Sequence, residues 1–142
     1  MNADAAGLRW LALVGACLAP LPATAQERIE VFVVGDQTIA GADGASAIYR
    51  IDSLATLVEA LSEGLPADPE RAGAIAKARF ENLTEAHRAR LQEGAEIENL
   101  ARQYRLAKAP AMVIDARAVI YGVHDVAQAR ALYRAWRARQ GG

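Results

Sequence analysis

The stretch Ala107-Lys108-Ala109-Pro110-Ala111-Met112-Val113-Ile114-Asp115-Ala116-Arg117-Ala118-Val119-Ile120-Tyr121-Gly122 decides the fold. Two short apolar runs, 111–114 and 118–121, flank Asp115-Ala116-Arg117, a pattern that predicts two β-strands joined by a tight hairpin. Pro110 stands directly before the first run, where a residue lacking an N–H costs no ladder bond and holds its predecessor extended. Gly122 closes the second run, and a helical pattern begins at once. The order is proline, strand, turn, strand, glycine, helix.

That closing helix has Asp125 as its cap and an apolar face of Val126, Ala129, Leu132, Tyr133 and Trp136. Arg130, Arg134, Arg137 and Arg139 gather near its C-terminus, where the helix dipole favours cations and solvent accepts them. A basic docking patch is the alternative reading of the same arginines.

Upstream, Ile29-Glu30-Val31-Phe32-Val33-Val34 begins as alternation and ends as a continuous apolar run, which predicts a strand central in a sheet. Gly35-Asp36 breaks it, and residues 37–46 read as a loop or one short helical turn. Residues 47–52 alternate as a second strand. Asp52 or Ser53 then caps a helix whose Leu54, Leu57, Val58 and Leu61 form one buried stripe, ended by Gly64. Asp68, Pro69 and Glu70 mark a further helix start. From there to Leu106 the chain favours helix, with Ala72, Ile75, Ala76, Phe80, Leu83, Ile97, Leu100, Ala101 and Tyr104 at core spacing and Gly94 as the break between two helices. Residues 81–96 are heavily charged and mostly face solvent.

Residues 1–25 read as a cleaved secretory signal. Arg9 precedes the apolar run Trp10 to Leu21, and Ala23-Thr24-Ala25 supplies small residues for cleavage before Gln26. The run is shorter than the ~20 residues that span a bilayer. An uncleaved anchor and a lipoprotein acylated at Cys17 are the alternatives. Residues 26–142 then form one domain, long enough for a core of its own. Cys17 is the chain's one cysteine, so the exported domain would have no thiol for disulfides, redox catalysis or metal ligation. Removing Arg9 and Asp4 takes one charge of each sign and leaves the net charge at −1, which gives no general case for nucleic acid or anionic lipid.

No catalytic constellation emerges. His87 and His124 are the only histidines and make a poor zinc pattern. No serine sits in a nucleophile elbow, and Gly35, Gly41 and Gly44 fit no phosphate-binding loop. Asp36 and Asp43 would form a carboxylate pair only if their loop folded back; solubility explains them equally. The pattern implies no catalytic residue, no metal and no cofactor.

The proline-led hairpin resembles the C-terminal half of the thioredoxin fold, in which that proline is cis and faces the active-site loop. The resemblance implies an α/β, thioredoxin-like single domain: a mixed sheet flanked by helices, with an extended helical segment before the hairpin. It also implies a cis Ala109–Pro110 bond, a trans proline being the ordinary alternative at a strand start. Redox-active thioredoxins carry their cysteines just after the first strand; here that segment reads Val34-Gly35-Asp36-Gln37-Thr38. Residues 34–37 with Ala109 and Pro110 would then form a peptide-binding surface without a nucleophile.

More specifically, Lys108-Ala109-Pro110-Ala111-Met112-Val113-Ile114-Asp115 and Val119-Ile120-Tyr121-Gly122-Val123-His124-Asp125-Val126 resemble a family of small exported proteins of integrating conjugative elements. Its members read Pro-Ala, strand, Asp-Gly, strand, Tyr-Gly, two residues and Asp-Val, and the Leu-Pro-Ala-Asp-Pro segment at 65–69 also agrees. Ala116-Arg117 departs from the family, which has glycine in the turn, and alters the preferred turn type. More distantly, the chain resembles thioredoxin-like pilus-assembly proteins of conjugative plasmids. The resemblance implies a periplasmic, non-catalytic component of a conjugative type IV secretion and mating-pair-formation apparatus, binding other proteins of that apparatus and not nucleic acid. The binding residues it points to are Asp36, Gln37, Ala109, Pro110, Tyr121 and Gly122, with Tyr121 equally readable as core. An enzyme, either a cysteine-free isomerase or a hydrolase using Asp36 and Asp43, and a periplasmic binding or immunity protein unrelated to DNA transfer, are the rival readings.

Overall fold

A computed structural model describes residues 26–141. The proposed signal, its cleavage site and Cys17 lie outside the described residues. The chain forms a mixed α/β domain with strands β1 (Ile29–Val33), β2 (Ala47–Arg50), β3 (Ala111–Ile114) and β4 (Ala118–Tyr121) and helices α1 (Ser53–Ser62), α2 (Pro69–Glu81), α3 (Glu85–Gln103) and α4 (Val126–Gln140). A short 3₁₀ turn, Ala42–Gly44, lies between β1 and β2. Among the described residues no helix is long and apolar enough to cross a membrane.

The sheet runs β2-β1-β3-β4, with β1 parallel to β2, antiparallel to β3, and β3 antiparallel to β4. β1 is central, as its apolar run predicts, and all its residues are buried. Its side chains alternate between two cores. Ile29, Val31 and Val33, with Met112 and Ile114, pack under Val126, Ala129 and Tyr133 of α4. On the other face Phe32, Ala111 and Val113 pack under Ala101 of α3, with Tyr49, Leu100, Tyr104 and Tyr121 at the margin. Each fully buried apolar side chain contributes about 1.5–3 kcal/mol relative to exposure, so both helices are held chiefly by this strand and its neighbour.

Glu30 is the exception in β1, a carboxylate only 1% exposed. Burying it is tolerable because both oxygens are paired. Arg28 Nη2 donates to Oε1 at 2.8 Å, and the Tyr104 hydroxyl donates to Oε2 at 2.6 Å. The bond to Glu30, then burial, pushes the Tyr104 phenol above its ordinary value. Burial, then the bond to Asp115, does the same to Tyr133.

The hairpin forms where the sequence places it. Arg117 N–H donates to Ile114 O at 3.0 Å, and Asp115 and Ala116 both take φ of +53°. Left-handed φ at both central positions suits the strands' twist but not an alanine, whose Cβ crowds the following carbonyl. Asp115 is held there by its carboxylate, which accepts from Arg28 N–H and Tyr133 O–H, each at 2.9 Å.

The helical segment departs from expectation in three ways. First, α2 and α3 separate at residues 82–84 and not at Gly94. Thr84 caps α3 by accepting from His87 N–H at 3.2 Å, which places His87 in the first turn of α3. Gly94 lies inside unbroken α3 and admits α1: a Cβ there would stand 2.9 Å from Leu54 Cβ and 3.1 Å from Leu54 Cα. Second, α1 packs on α3 and α2 on α1, so the pair forms an outer layer away from the sheet. Leu54, Leu57 and Leu61 are therefore only half-buried, Val58 is exposed, and α2 buries none of its residues, leaving Ile75 and Phe80 exposed. Third, on α4 Val126, Ala129 and Tyr133 are buried as expected, but Leu132 and Trp136 are exposed. The cap at Asp68 forms as read, accepting from Arg71 N–H at 2.8 Å, and so does that at Asp125, accepting from Gln128 N–H at 2.9 Å.

Gly94→Ala should lower stability by about 1–3 kcal/mol in denaturant titration, because overpacking against Leu54 outweighs alanine's better helix propensity. Ala116→Gly should raise the thermal midpoint, with a gain of about 1 kcal/mol from relieving the left-handed alanine. Tyrosine pKa values raised by folding make a stability contribution present in full below the ordinary phenol value and lost as pH rises through the folded values. Thermal scans should therefore show an alkaline fall in stability above pH ~10 that Tyr104→Phe and Tyr133→Phe together diminish.

Candidate functional site

Register brings one set of loops to one end of the sheet. Phe32 lies opposite Ala111, and Ala111 opposite Tyr121, so the chain leaving β1 lies beside the chain entering β3, with Gly122 on its far side. β2 runs parallel to β1 and delivers Arg50 and Asp52 to the same end. All six sequence-predicted residues, Asp36, Gln37, Ala109, Pro110, Tyr121 and Gly122, belong to these loops and strand ends.

The β1 side is a tight turn. Gln37 N–H donates to Val34 O at 3.2 Å, and Gln37 Oε1 accepts from Val34 N–H at 3.1 Å, so the Gln37 side chain is spent on shaping its own loop. Gly35 takes a φ of +53°, where a side chain is strained. Its N–H donates to Asp52 Oδ2 at 2.8 Å, and its carbonyl accepts from Arg50 Nη1. Asp36, at the tip, is exposed.

On the β3 side the Ala109–Pro110 bond is cis, in agreement with the expectation. Pro110 is buried and its carbonyl accepts from Gly122 N–H at 3.1 Å, which extends the β3–β4 ladder by one pair. Ala109 is half-buried, and neither its N–H nor its carbonyl has a hydrogen-bond partner among the described residues. Tyr121 serves both readings offered for it. Its ring joins the margin of the α3-side core, while its hydroxyl accepts from Ala107 N–H at 3.2 Å and Lys108 Nζ lies 5.7 Å from the ring centroid. It thus fixes the loop that presents Ala109.

Asp36 and Asp43 are both exposed, and no hydrogen bond joins them among the described residues. Among the same residues no three His, Cys, Asp or Glu side chains gather as a metal site. His87 Nδ1 is paired with Thr84 Oγ1 at 2.9 Å.

Sequence reasoning missed Asp52, Arg50 and Lys108. Asp52 occupies the N-cap position of α1 as read, but its carboxylate makes no bond to that helix and turns to Gly35 instead, leaving Oδ1 buried without a partner. The signal was faint, since Gly35 and Asp52 become neighbours only through the parallel β1–β2 pairing.

Residues 26–139 match the model of a family described as a protein of unknown function, DUF1525, and the chain belongs to that family. No curated protein and no solved structure matches it.

Proposed function

We propose that this DUF1525 domain is a thioredoxin-like fold without redox cysteines, exported to the periplasm, and that it serves as a non-catalytic binding component of a conjugative type IV secretion apparatus. The thioredoxin-like reading is supported by the order of elements and by the mixed sheet ending in a proline-led hairpin and a helix. It departs from that pattern after β1, where a loop and a three-residue 3₁₀ turn take the place of a full helix. The conjugative setting rests on the resemblance at residues 65–69 and 108–126, and export rests on the signal pattern of residues 1–25.

The observation that carries the binding role is Ala109. Its backbone donor and acceptor are both unpaired among the described residues, and they stand beside the rigid Gly35 turn at an open end of the sheet. Such a pair of groups recruits an extended segment through main-chain hydrogen bonds, with neighbouring side chains setting preference. Asp36 and Lys108 supply one charge of each sign at the rim. The protein partners are other components of the transfer apparatus.

The test is the frequency of DNA transfer from a donor lacking this gene, complemented with wild type, Ala109→Glu, or Asp36→Asn with Asp43→Asn. Protein level and folding are checked in the same cells. Deletion should abolish transfer. A folded Ala109→Glu should restore at least about tenfold less than wild type, the change that a loss of ~1.4 kcal/mol of binding produces. The double aspartate variant should complement fully. Unimpaired transfer on deletion would overturn the conjugative role, and full complementation by Ala109→Glu would remove the surface.

A further inference from the structure

We propose that the free edge of β4, together with the groove α4 forms beside it, is a second docking site, which takes an extended acidic and apolar segment of a partner protein as a fifth strand. β4 ends the sheet, with β3 its only neighbour among the described strands. Gly122 N–H bonds Pro110 O, and the register places Ile120 opposite Met112 and Ala118 opposite Ile114. Antiparallel pairs alternate between bonded and non-bonded, so Gly122, Ile120 and Ala118 turn their main-chain groups toward β3. Val119 and Tyr121 consequently turn theirs outward. An exposed edge of this kind is a template for another strand.

The groove tells what that strand carries. Ala118, Ile120, Leu132, Tyr133 and Trp136 line it, together with Arg117 and Arg139. Leu132 is 48% and Trp136 39% exposed, and Val119 on the edge itself is 37% exposed. Exposed apolar surface grouped this way beside charged residues marks interaction sites.

The charge is one-sided. Neither β4 nor α4 contains an acidic residue. Arg130 and Arg134 are already paired with Glu27, at 3.3 Å and 2.9 Å. Arg117, Arg137 and Arg139 have no carboxylate partner among the described residues, and Arg137 lies over the Tyr133 ring instead, at 5.8 Å from its centroid. A partner segment that carries apolar residues toward this lining and carboxylates toward the unpaired arginines therefore matches the site in chemistry and sign.

A second copy joined through the same edge would set two of these arginine sets against each other, which disfavours self-pairing. A membrane surface would use the arginines and Trp136 but would leave the outward main-chain groups of Val119 and Tyr121 unpaired, so a peptide strand is the better match. The site is separate from the Ala109 surface in its side chains and in the variants that probe it.

The test is fluorescence anisotropy on the exported protein with a labelled peptide of about nine residues, a long strand's length, in which valine and threonine alternate and glutamate stands at each end. Controls are the same peptide with lysine for glutamate and vesicles of phosphatidylglycerol. Saturable binding of the glutamate peptide is expected, weakening with added salt. Arg117→Glu with Arg139→Glu should weaken it at least about tenfold. Val119→Pro should do likewise, because it removes an outward N–H that the β3–β4 ladder does not use. Circular dichroism and thermal midpoint serve as folding controls, and the arginine variant keeps the proposal testable should the proline variant unfold. Absence of saturable binding, equal binding of the lysine peptide, or indifference to the arginine reversals would overturn the proposal. So would vesicle binding without peptide binding, which would assign the face to a membrane.

Discussion

The Asp115 carboxylate accepts the Arg28 N–H at the start of β1 with one oxygen and the Tyr133 hydroxyl of α4 with the other. Its own N–H donates to Arg28 O at 2.9 Å. One turn residue thus ties the first strand, the hairpin and the last helix together, and it fixes the register of β1 against β3. Register matters acutely here, because a slip of one residue would exchange the faces of a strand buried on both sides. The slip would turn Glu30 away from the Tyr104 hydroxyl and leave one buried carboxylate oxygen unpaired, a cost of about 1–3 kcal/mol. Hydrophobic burial supplies most of the stabilisation, and this clamp selects the arrangement in which it is collected.

The same register determines what the sheet can present. With Phe32 opposite Ala111, the turn at Gly35 meets the loop at Ala109, and β2 brings Asp52 to hold the turn from the other side. Tyr121 braces the loop from β4. The open sheet end is thus a rigid frame around one residue whose main-chain groups are unpaired, an arrangement suited to holding an extended segment. Of the helices between β2 and β3, α3 packs on the sheet and α1 reaches the frame through its N-cap residue Asp52, while α1 and α2 form an outer layer joined to α3 where Gly94 lets Leu54 approach.

What was legible in the sequence was local. The apolar runs, Pro110, the caps at Asp68 and Asp125 and the turn at 115–117 are set by residues within a few positions of one another, and each lies where the pattern puts it. Gly94 reads as a break in the sequence but stands inside α3 because its role is tertiary: nothing within its helix announces that another helix crosses there. The apolar positions of α2 show helical period but not their partner, and the partner is a thin layer of α1, so Ile75 and Phe80 stay exposed. Glu30 and Tyr104 meet across the fold and leave no mark at either position in the sequence. In the candidate site, the residues on the β1 and β3 loops were readable from the hairpin's resemblance, whereas Asp52 and Lys108 depend on strand pairing and on a loop's path.

The most direct measurement is site-specific photocrosslinking in mating donor cells, with a photoreactive residue at position 109 and, in a separate strain, at position 75 on the outer face of α2. A crosslink is expected from position 109 to a protein encoded with the transfer apparatus, lost when transfer genes are deleted and absent from position 75. Crosslinking from position 75 with none from position 109 would contradict it, and would move the working surface from the sheet end to the outer helices.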